Sequence, residues 1–289
     1  MSPFRGPTVR QRRLAAELRR LREERGLTGD DVAARLTWST AKVSRIENAR
    51  TSTRINDVRM LTQLYQLDPA HRAELLALAH DAAQKGWWEG YRELPGAYTQ
   101  FIAMEDEASR IVQWETYLVP GLLQTEDFAR SVMGGARAYD PAPPREIERR
   151  IEVRMRRQQV LFRENPIQYS VLLDESVLRR LVGDPATMRD QLRHLIDVSD
   201  LPHVDLRVIR LDVPHTIMEG SFQLMEYEPV WDIVFPDVVY VGALTDNQVI
   251  DEKLTFMYRL AFEGMARFAS PSAESRDLVA GIAERWRRP

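Results

Sequence analysis

The stretch from Leu27 to Asn48 reads LTGDDVAARLTWSTAKVSRIEN and carries the signals of two short helices joined by a tight turn. Thr28 is suited to cap the first helix through its hydroxyl. Asp31 follows three residues later, where a carboxylate completes the cap and favours the positive end of the helix. Val32 and Leu36 lie four residues apart and share one face of that helix. The stretch therefore predicts a helix-turn-helix.

The second helix of this pair has a polar outer surface. Ser39 is expected to cap its start, while Val43 and Ile46 supply its buried side. The remaining side chains are short and polar or cationic, as required to contact base edges and phosphates of double-stranded DNA. Ser39–Asn48 is thus the expected recognition helix in a major groove. The expected DNA-contacting residues are Thr28, Gly29, Ser39, Thr40, Ala41, Lys42, Ser44, Arg45, Asn48 and Arg50.

This stretch resembles the lambda-repressor-like, or Xre-type, DNA-binding domain. That family has an alanine in the first helix, a turn, and a Val-Ser-x-Ile-Glu run such as Val43–Glu47 here. Two positions depart from the pattern: Gly29 stands where the family usually has glutamine, and Thr37 where it usually has a turn glycine. A backbone amide at Gly29 remains able to contact a phosphate. Because a β-branched residue is strained at positive φ, the sequence leaves the turn geometry at Thr37 open.

The charge of the chain is divided unevenly. Residues 1–60 hold 14 Lys and Arg against seven Asp and Glu, whereas the remainder holds 26 against 36. A basic module is therefore joined to an acidic body, although the net charge of the chain is −3. Such asymmetry concentrates the attraction to phosphate at one end and helps to orient the protein on a duplex.

Three further helices are predicted around the motif. Leucines at 14, 18 and 21 indicate a first helix from about Arg10 to Arg25 that ends at Gly26. A fourth helix contains Val58, and the pair Asp68-Pro69 starts a fifth. Residues 1–84 are thus expected to form an all-α five-helix helix-turn-helix bundle. The basic arm at 2–13 either follows the DNA backbone or a minor groove, or is a disordered tail.

An aromatic patch follows the bundle, with residues 85–96 as the expected junction between two domains. It comprises Trp87, Trp88, Tyr91, Tyr98, Phe101, Trp114 and Tyr117. Two interpretations stay open for this patch. The side chains form the packing between the domains and the start of a second core, or they line a pocket for a planar small-molecule ligand. On the second interpretation, Trp87, Trp88, Tyr91, Trp114 and Tyr117 are the candidate ligand residues.

Residues 97–289 alternate between helix and strand signals. Helices are expected at the start and the end, and strands in between, which predicts an α+β domain with one modest sheet flanked by helices. The expected strands are Gln168–Asp174, Val204–Ile209, Phe222–Tyr227 and Val238–Ala243, and the expected helices include Thr125–Met133, Arg145–Phe162 and the one that Asp184-Pro185 caps. The sequence indicates an effector or partner-binding domain.

This second part resembles the domain of unknown function that follows Xre-type modules in actinomycete regulators of the Scr-type, antitoxin-like class. The resemblance rests on Val119–Glu126, Arg154–Gln159, Leu173–Leu178 and Gln191–Leu195, together with Gly86-Trp87-Trp88. It implies a DNA-binding regulator commonly paired with a small protein partner encoded nearby. It implies no ligand, cofactor or catalytic residue. From the residues alone, Val119–Glu126 is a turn followed by a helix start.

Other functional classes have little support in the sequence. The five histidines show no HExxH-like spacing, and no glycine-rich phosphate loop or GxSxG elbow is present, so we expect no enzyme, metal or cofactor. His203 with Asp205 and Asp212 with His215 lie at opposite ends of one predicted strand, too far apart to share a metal. The absence of cysteine fits an intracellular protein. With no apolar run of about 20 residues, a cytoplasmic protein without membrane contact is expected.

Three hypotheses follow from these patterns. The first is a sequence-specific transcriptional regulator whose second domain dimerises, senses a ligand or binds a protein, with the homodimer placing two recognition helices about 34 Å apart. The second is an antitoxin-like protein that holds a small protein partner and autoregulates its own operon. The third, a DNA-tethered enzyme acting on small molecules, has the least support.

Overall fold

The structure is a computed structural model that describes residues 8–84, 86–91, 94–136, 142–214, 220–230, 233–241, 247–249 and 252–286. The chain forms two compact units. The first comprises Met1–Glu107 with Glu228–Phe235, and the second comprises Ala108–Tyr227 with Pro236–Pro289. The sequence suggested a boundary at residue 97, while the structure divides the chain after Glu107. In the described part of the chain, no helix combines enough length and hydropathy to cross a bilayer.

The first unit contains the predicted bundle of five helices. Its helices are α1 (Val9–Glu24), α2 (Gly29–Leu36), α3 (Thr40–Glu47), α4 (Ile55–Leu64) and α5 (Pro69–Ala83). A 3-10 helix at Trp87–Gly90 and helix α6 (Gly96–Glu107) follow in the same unit. The predicted leucine stripe of α1 lies in a core with Val32, Val43 and Ile46, all of them buried. The fold predicted for residues 1–84 is therefore confirmed.

The predicted helix starts are also present. The Thr28 hydroxyl accepts from the Asp31 amide, and the Asp31 carboxylate accepts from the Thr28 amide at 2.8 Å, which completes a capping box. Ser39 caps α3 by accepting from the Lys42 amide at 3.2 Å. Asp68 caps α5. These local bonds satisfy amides that a helix start would leave without partners.

The first four helices all end in the same way. After each one, a residue with positive φ is flanked by two backbone bonds that reach back into the last turn, the pattern of a Schellman motif. The four residues are Gly26, Thr37, Ala49 and Gln66. Thr37, with φ 55° and ψ 41°, therefore adopts a conformation that glycine would take at little cost. The turn geometry that the sequence left open is left-handed, with a β-branched side chain under strain.

The second unit is built on one mixed sheet of six strands among its described residues. The strands are β1 (Arg110–Glu115), β2 (Gln168–Asp174), β3 (Val204–Ile209), β4 (Phe222–Glu226), β5 (Val238–Val241) and β6 (Asn247–Val249), in the order β3-β2-β1-β4-β5-β6. β1, β2 and β3 run parallel, whereas β4, β5 and β6 pair antiparallel. The predicted α+β class is confirmed. The last two residues of the predicted strand Val238–Ala243 lie outside the described residues.

Six helices among the described residues flank this sheet. They are α7 (Glu126–Ala136), α8 (Pro144–Arg157), α9 (Glu175–Arg179), α10 (Pro185–Ser199), α11 (Glu252–Ala266) and α12 (Ser272–Arg285). Phe262 and Met265 of α11 pack on one face of the sheet, against a core that includes Trp114 and Phe222. β1, a central strand of the sheet, was not predicted from the sequence.

Candidate nucleic-acid interface

The outer face of α3 presents the side chains that the sequence analysis selected. Thr40, Ala41, Ser44, Arg45 and Asn48 are all exposed, while Val43 and Ile46 on the opposite side are 2% exposed. The Asn48 side-chain amide donates to the Ser44 carbonyl at 2.7 Å, so one of its groups is used within the helix. The predicted division of α3 into a buried side and an outer polar side is confirmed. DNA contact by the outer side stays a prediction.

Two predicted contact residues are already held by acidic neighbours. The Lys42 ammonium lies 2.7 Å from an Asp57 carboxylate oxygen and 3.6 Å from the centre of the Trp38 ring. The Thr40 hydroxyl donates to Asp30 at 2.6 Å. An ion pair with a carboxylate reduces the attraction of Lys42 for phosphate, because the local charge is neutralised. Sequence separation concealed both neighbours, since Asp57 is 15 residues away from Lys42.

The guanidinium groups near the end of α3 carry the available positive charge. Arg45 and Arg50 are exposed, and no carboxylate among the described residues forms an ion pair with either side chain. Arg54, in the loop that leads into α4, has the same character and was missed by the sequence analysis. The sequence feature that could have identified Arg54 is its position directly before a helix. The positive end of that helix also favours an anion. The three side chains give the end of α3 a local positive charge.

The start of α2 is the other predicted contact. Thr28 is exposed, but its hydroxyl and amide both bond to Asp31, whose carboxyl pKa is lowered by those bonds. Gly29 lies beside Val43, and a Cβ built at Gly29 would stand 4.0 Å from a Val43 methyl group. The Gly29 position therefore has room for a small side chain. The backbone of Gly29, and not the Thr28 hydroxyl, is what this helix end offers a phosphate.

A nearly buried ion pair fixes α3 against α1. The Arg22 guanidinium donates to both carboxylate oxygens of Glu47, at 2.7 and 3.0 Å, and also to the Leu27 carbonyl at 2.7 Å. Only 12% and 8% of the two charged side chains are exposed. A bidentate pair restrains both groups geometrically as well as electrostatically. Glu47, in the run that resembles the Xre-type pattern, therefore has a positioning role.

The basic arm is shorter than the sequence suggested. Thr8 caps α1, so Arg10, Arg12 and Arg13 lie on a helix and not on an extended arm. Arg13 is only 5% exposed and donates to the Glu228 carbonyl at 2.9 Å, within the same unit. Arg10 lies 3.5 Å from Glu107. The rest of the predicted arm, residues 1–7, lies outside the described residues.

The aromatic residues of the predicted patch belong to both units. Trp87, Trp88 and Tyr91 pack edge to face in the first unit, with ring centres 5.6 and 6.1 Å apart. Trp114 is fully buried on β1 in the core of the second unit, whereas Tyr117 is 61% exposed. A Cβ at Gly86 would stand 2.3 Å from the Trp88 ring, so glycine is required there. Trp87, Trp88, Tyr91 and Trp114 have a packing role within their own units, and ligand binding stays a hypothesis.

Three of the four sequence blocks in the second resemblance meet in one buried cluster, which we call the glutamine cluster. It consists of the side chains of Gln124, Gln158 and Gln191 around the turn at 119–125. Gln191 accepts from the Thr125 amide at 2.8 Å and donates to the Leu123 carbonyl at 2.7 Å. Gln158 donates to the Gln124 carbonyl at 2.6 Å. Because these side chains satisfy a buried turn, the blocks stabilise the fold.

The interpretation of Val119–Glu126 as a turn and a helix start is confirmed. A 3-10 helix at Gly121–Leu123 precedes α7. On α8, the Arg150 guanidinium lies 2.7 Å from a Glu146 carboxylate oxygen. His203 bonds to the Leu161 carbonyl at 2.8 Å through its ring nitrogen, which gives this histidine a structural partner. His215 lies outside the described residues. In the described part of the chain, no group of three His, Cys, Asp or Glu residues is placed to hold a metal ion.

Two buried carboxyls have strongly shifted pKa values. Burial raises the pKa of Glu107 to about 7, against the opposing effect of Arg10 and Arg13. Burial also raises the pKa of Glu115 on β1 to about 7, although hydrogen bonds from Ser221 and Gln113 act in the other direction. Both groups are therefore sensitive to pH near neutrality.

The bundle of α1 to α5, with a helix-turn-helix whose outer face is polar and exposed, defines a module of the DNA-binding helix-turn-helix class. The model of the family described as "Helix-turn-helix domain" matches residues 13–75, which supports a DNA-binding regulator. The model of "Domain of unknown function (DUF5753)" matches residues 98–281, well over half of the chain. The chain belongs to this family. No curated protein is significantly similar to it.

Proposed function

We propose that this protein is a sequence-specific transcriptional regulator of the Xre type, in which α3 enters a major groove. The observation that carries the proposal is the exposed outer face of α3, where Arg45 lacks an ion-pair partner among the described residues. A guanidinium in this position matches the paired acceptors of guanine. Ser44 contacts a neighbouring base edge.

The surrounding residues supply contacts to the DNA backbone. Arg50 and Arg54 contact phosphates on one side of α3, and the Gly29 amide contacts a phosphate on the other. Lys42 joins them only when phosphate displaces Asp57. Because phosphate contacts orient the protein and base contacts select the sequence, we assign specificity mainly to Ser44 and Arg45.

The second unit has the role of an effector domain. We propose that it forms a homodimer, which places two recognition helices in successive major grooves about 34 Å apart. Its resemblance to the domain found in actinomycete Scr-type regulators also supports binding of a small protein encoded nearby, as in an antitoxin-like regulator of its own operon. A small-molecule ligand is the third role for this unit. The proposal includes no catalysed reaction.

Selection of bound fragments from genomic DNA, followed by sequencing, tests the proposal. We expect one enriched motif made of two inverted half-sites. Recovery of fragments without a shared motif would contradict sequence-specific binding. Co-purification of a small protein encoded beside this chain would favour the antitoxin-like role, and a retained metabolite would favour ligand sensing.

A further inference from the structure

Helix α11 has one face packed on the sheet and another that is apolar and exposed. Its inner side is fixed, since Arg207 donates to the Ala266 carbonyl at 2.8 Å and Phe262 is 8% exposed. On the outer side, Phe256, Met257 and Leu260 are 56%, 57% and 50% exposed. Contiguous exposed apolar side chains of this size mark interaction surfaces.

Charges of opposite sign stand at the two ends of this apolar stripe. At about 100° per residue, the outer residues fall within an arc of about 120°. In chain order this face consists of Lys253, Phe256, Met257, Leu260 and Glu263. Lys253 and Glu263 are exposed, and neither has an ion-pair partner among the described residues. The face is therefore positive at one end, apolar in the middle and negative at the other end.

This face is complementary to an identical face that runs in the opposite direction. An antiparallel copy of α11, centred on position 258, exchanges position 253 with 263 and position 256 with 260. Lys253 then faces Glu263 of the second copy at both ends of the helix pair. Phe256 of each copy packs against Leu260 of the other. A two-fold axis requires this kind of self-complementary surface, in which one patch meets the same patch.

We propose that the exposed face of α11 binds a second copy of this chain, with the two α11 helices antiparallel across a two-fold axis. The inference deepens the proposed function, because it rests on the second unit as the dimerising part. The symmetric placement of charge favours a second copy over an unrelated protein, which would need no such symmetry. Contact through one helix face is small compared with most stable interfaces, so the dimer dissociates on dilution.

Charge reversal on the full chain, without DNA, tests the proposal. Sedimentation over a range of concentrations measures the dissociation constant of the dimer. Lys253→Glu replaces two attractions with two repulsions, and so does Glu263→Lys; we expect each to raise the constant about tenfold. The double variant K253E/E263K restores both pairs and returns the constant to within about threefold of the parent. An equimolar mixture of the two single variants forms mixed dimers, because all four charges are then complementary.

Disulfide formation gives a second test, since the chain has no cysteine. In the proposed pair, the two copies of position 257 lie about 3 Å apart along the helix axes, and the two copies of position 267 about 27 Å apart. Met257→Cys is expected to cross-link on mild oxidation, whereas Arg267→Cys is not. Both positions are exposed, so circular dichroism is expected to show the parent fold for both variants.

Three outcomes would overturn the proposal: a parent chain that stays monomeric at all concentrations, a double variant that stays as weak as the single variants, or equal cross-linking at positions 257 and 267. A monomeric parent that binds a small protein through α11 belongs to the first outcome. Failure of the proposed function is distinguishable, because it would remove sequence-selective DNA binding and leave the DNA-free dimer unchanged.

Discussion

The outer face of α3 and the glutamine cluster are both rich in polar side chains, but they differ in how those groups are satisfied. In the glutamine cluster, Gln191 has 0% exposure. Its side-chain oxygen and its side-chain nitrogen each form a hydrogen bond with a backbone group of the turn. On α3, Arg45 is exposed without a carboxylate partner in the described residues. A polar group whose hydrogen bonds are satisfied within the chain stabilises the fold, whereas a polar group without such partners is available to a binding partner. The presence or absence of bonding partners therefore distinguishes polar residues that stabilise the fold from polar residues that are available for binding.

The same distinction applies within α3 itself. Glu47 is used in the ion pair with Arg22, and Lys42 is paired with Asp57. Arg45 lies between them in the sequence, and no carboxylate in the described part of the chain forms an ion pair with it. Neighbouring charged residues on one short helix thus have three different roles.

The largest expected effect is on stability, from Gln191→Leu. This change leaves the Thr125 amide and the Leu123 carbonyl buried without partners, which costs about 2–5 kcal/mol of unfolding free energy. Urea unfolding measures the loss, with the exposed Arg193→Gln on the same helix as the control. DNA affinity of the folded variant is expected to match that of the parent. A loss below about 0.5 kcal/mol would show that the cluster does not stabilise the turn.

The next effect concerns the buried carboxyl of Glu115. Its pKa in the folded chain is about 7, above the ordinary 4.5, so the folded state holds the proton more tightly than the unfolded state. The stabilisation is complete below pH 4.5 and is lost as the pH rises through 7. Glu115→Gln removes this dependence.

Unfolding free energies of the parent and Glu115→Gln, measured from pH 4 to pH 8, check this prediction. The difference between the variant and the parent should shift in favour of the variant by up to about 3 kcal/mol across that range. Ser221→Ala removes a hydrogen bond that lowers the pKa of Glu115, and should therefore move the midpoint to higher pH. A constant difference at all pH values would contradict a raised pKa for Glu115.

On the outer face of α3, Arg45→Ala should weaken binding to a selected DNA site by about 1–3 kcal/mol and relax base preference at one position. Because the Arg45 side chain is exposed, the unfolding free energy of the variant should stay within about 0.5 kcal/mol of that of the parent. Fluorescence anisotropy and urea unfolding measure the two quantities. Arg19→Ala, on the exposed side of α1, is the matched loss of an arginine and should leave DNA affinity unchanged.

The smallest effect is expected from Asp57→Asn, which releases Lys42 from its ion pair. Binding to the selected site and to random DNA should both tighten by about two- to fivefold, since a phosphate contact carries no base preference. Asp81→Asn makes the same charge change on α5 and serves as the control for net charge. Equal effects of the two variants would mean that the Lys42 pair does not limit DNA binding.

Helix starts and the strands β2 and β3 could be predicted from the sequence because their signals are local. The Thr28 and Asp31 cap depends on residues three apart, and Ser39 caps α3 in the same way. β1 could not be recognised, because Ile111, Val112, Gln113 and Trp114 are all buried and show no alternation of exposed and buried positions. An aromatic-rich context also made Trp114 look like part of a separate patch.

The candidate site could be predicted as a set of positions but not as a set of interactions. The exposed side of α3 follows from its periodicity. The pairs between Lys42 and Asp57, and between Arg22 and Glu47, join residues 15 and 25 positions apart, so only the packed helices reveal them. The sequence showed that Thr37 is an unusual residue type for such a turn. It did not show that Thr37 adopts a left-handed conformation.

The specificity ratio of the parent and Arg45→Ala tests the central claim most directly. It is the affinity for the selected site divided by the affinity for a scrambled duplex of equal length, at one salt concentration. We predict a ratio of about 10³ or more for the parent and a ratio at least about tenfold lower for Arg45→Ala. Equal affinity of the parent for both duplexes, or an unchanged ratio in the variant, would contradict a reading role for the outer face of α3.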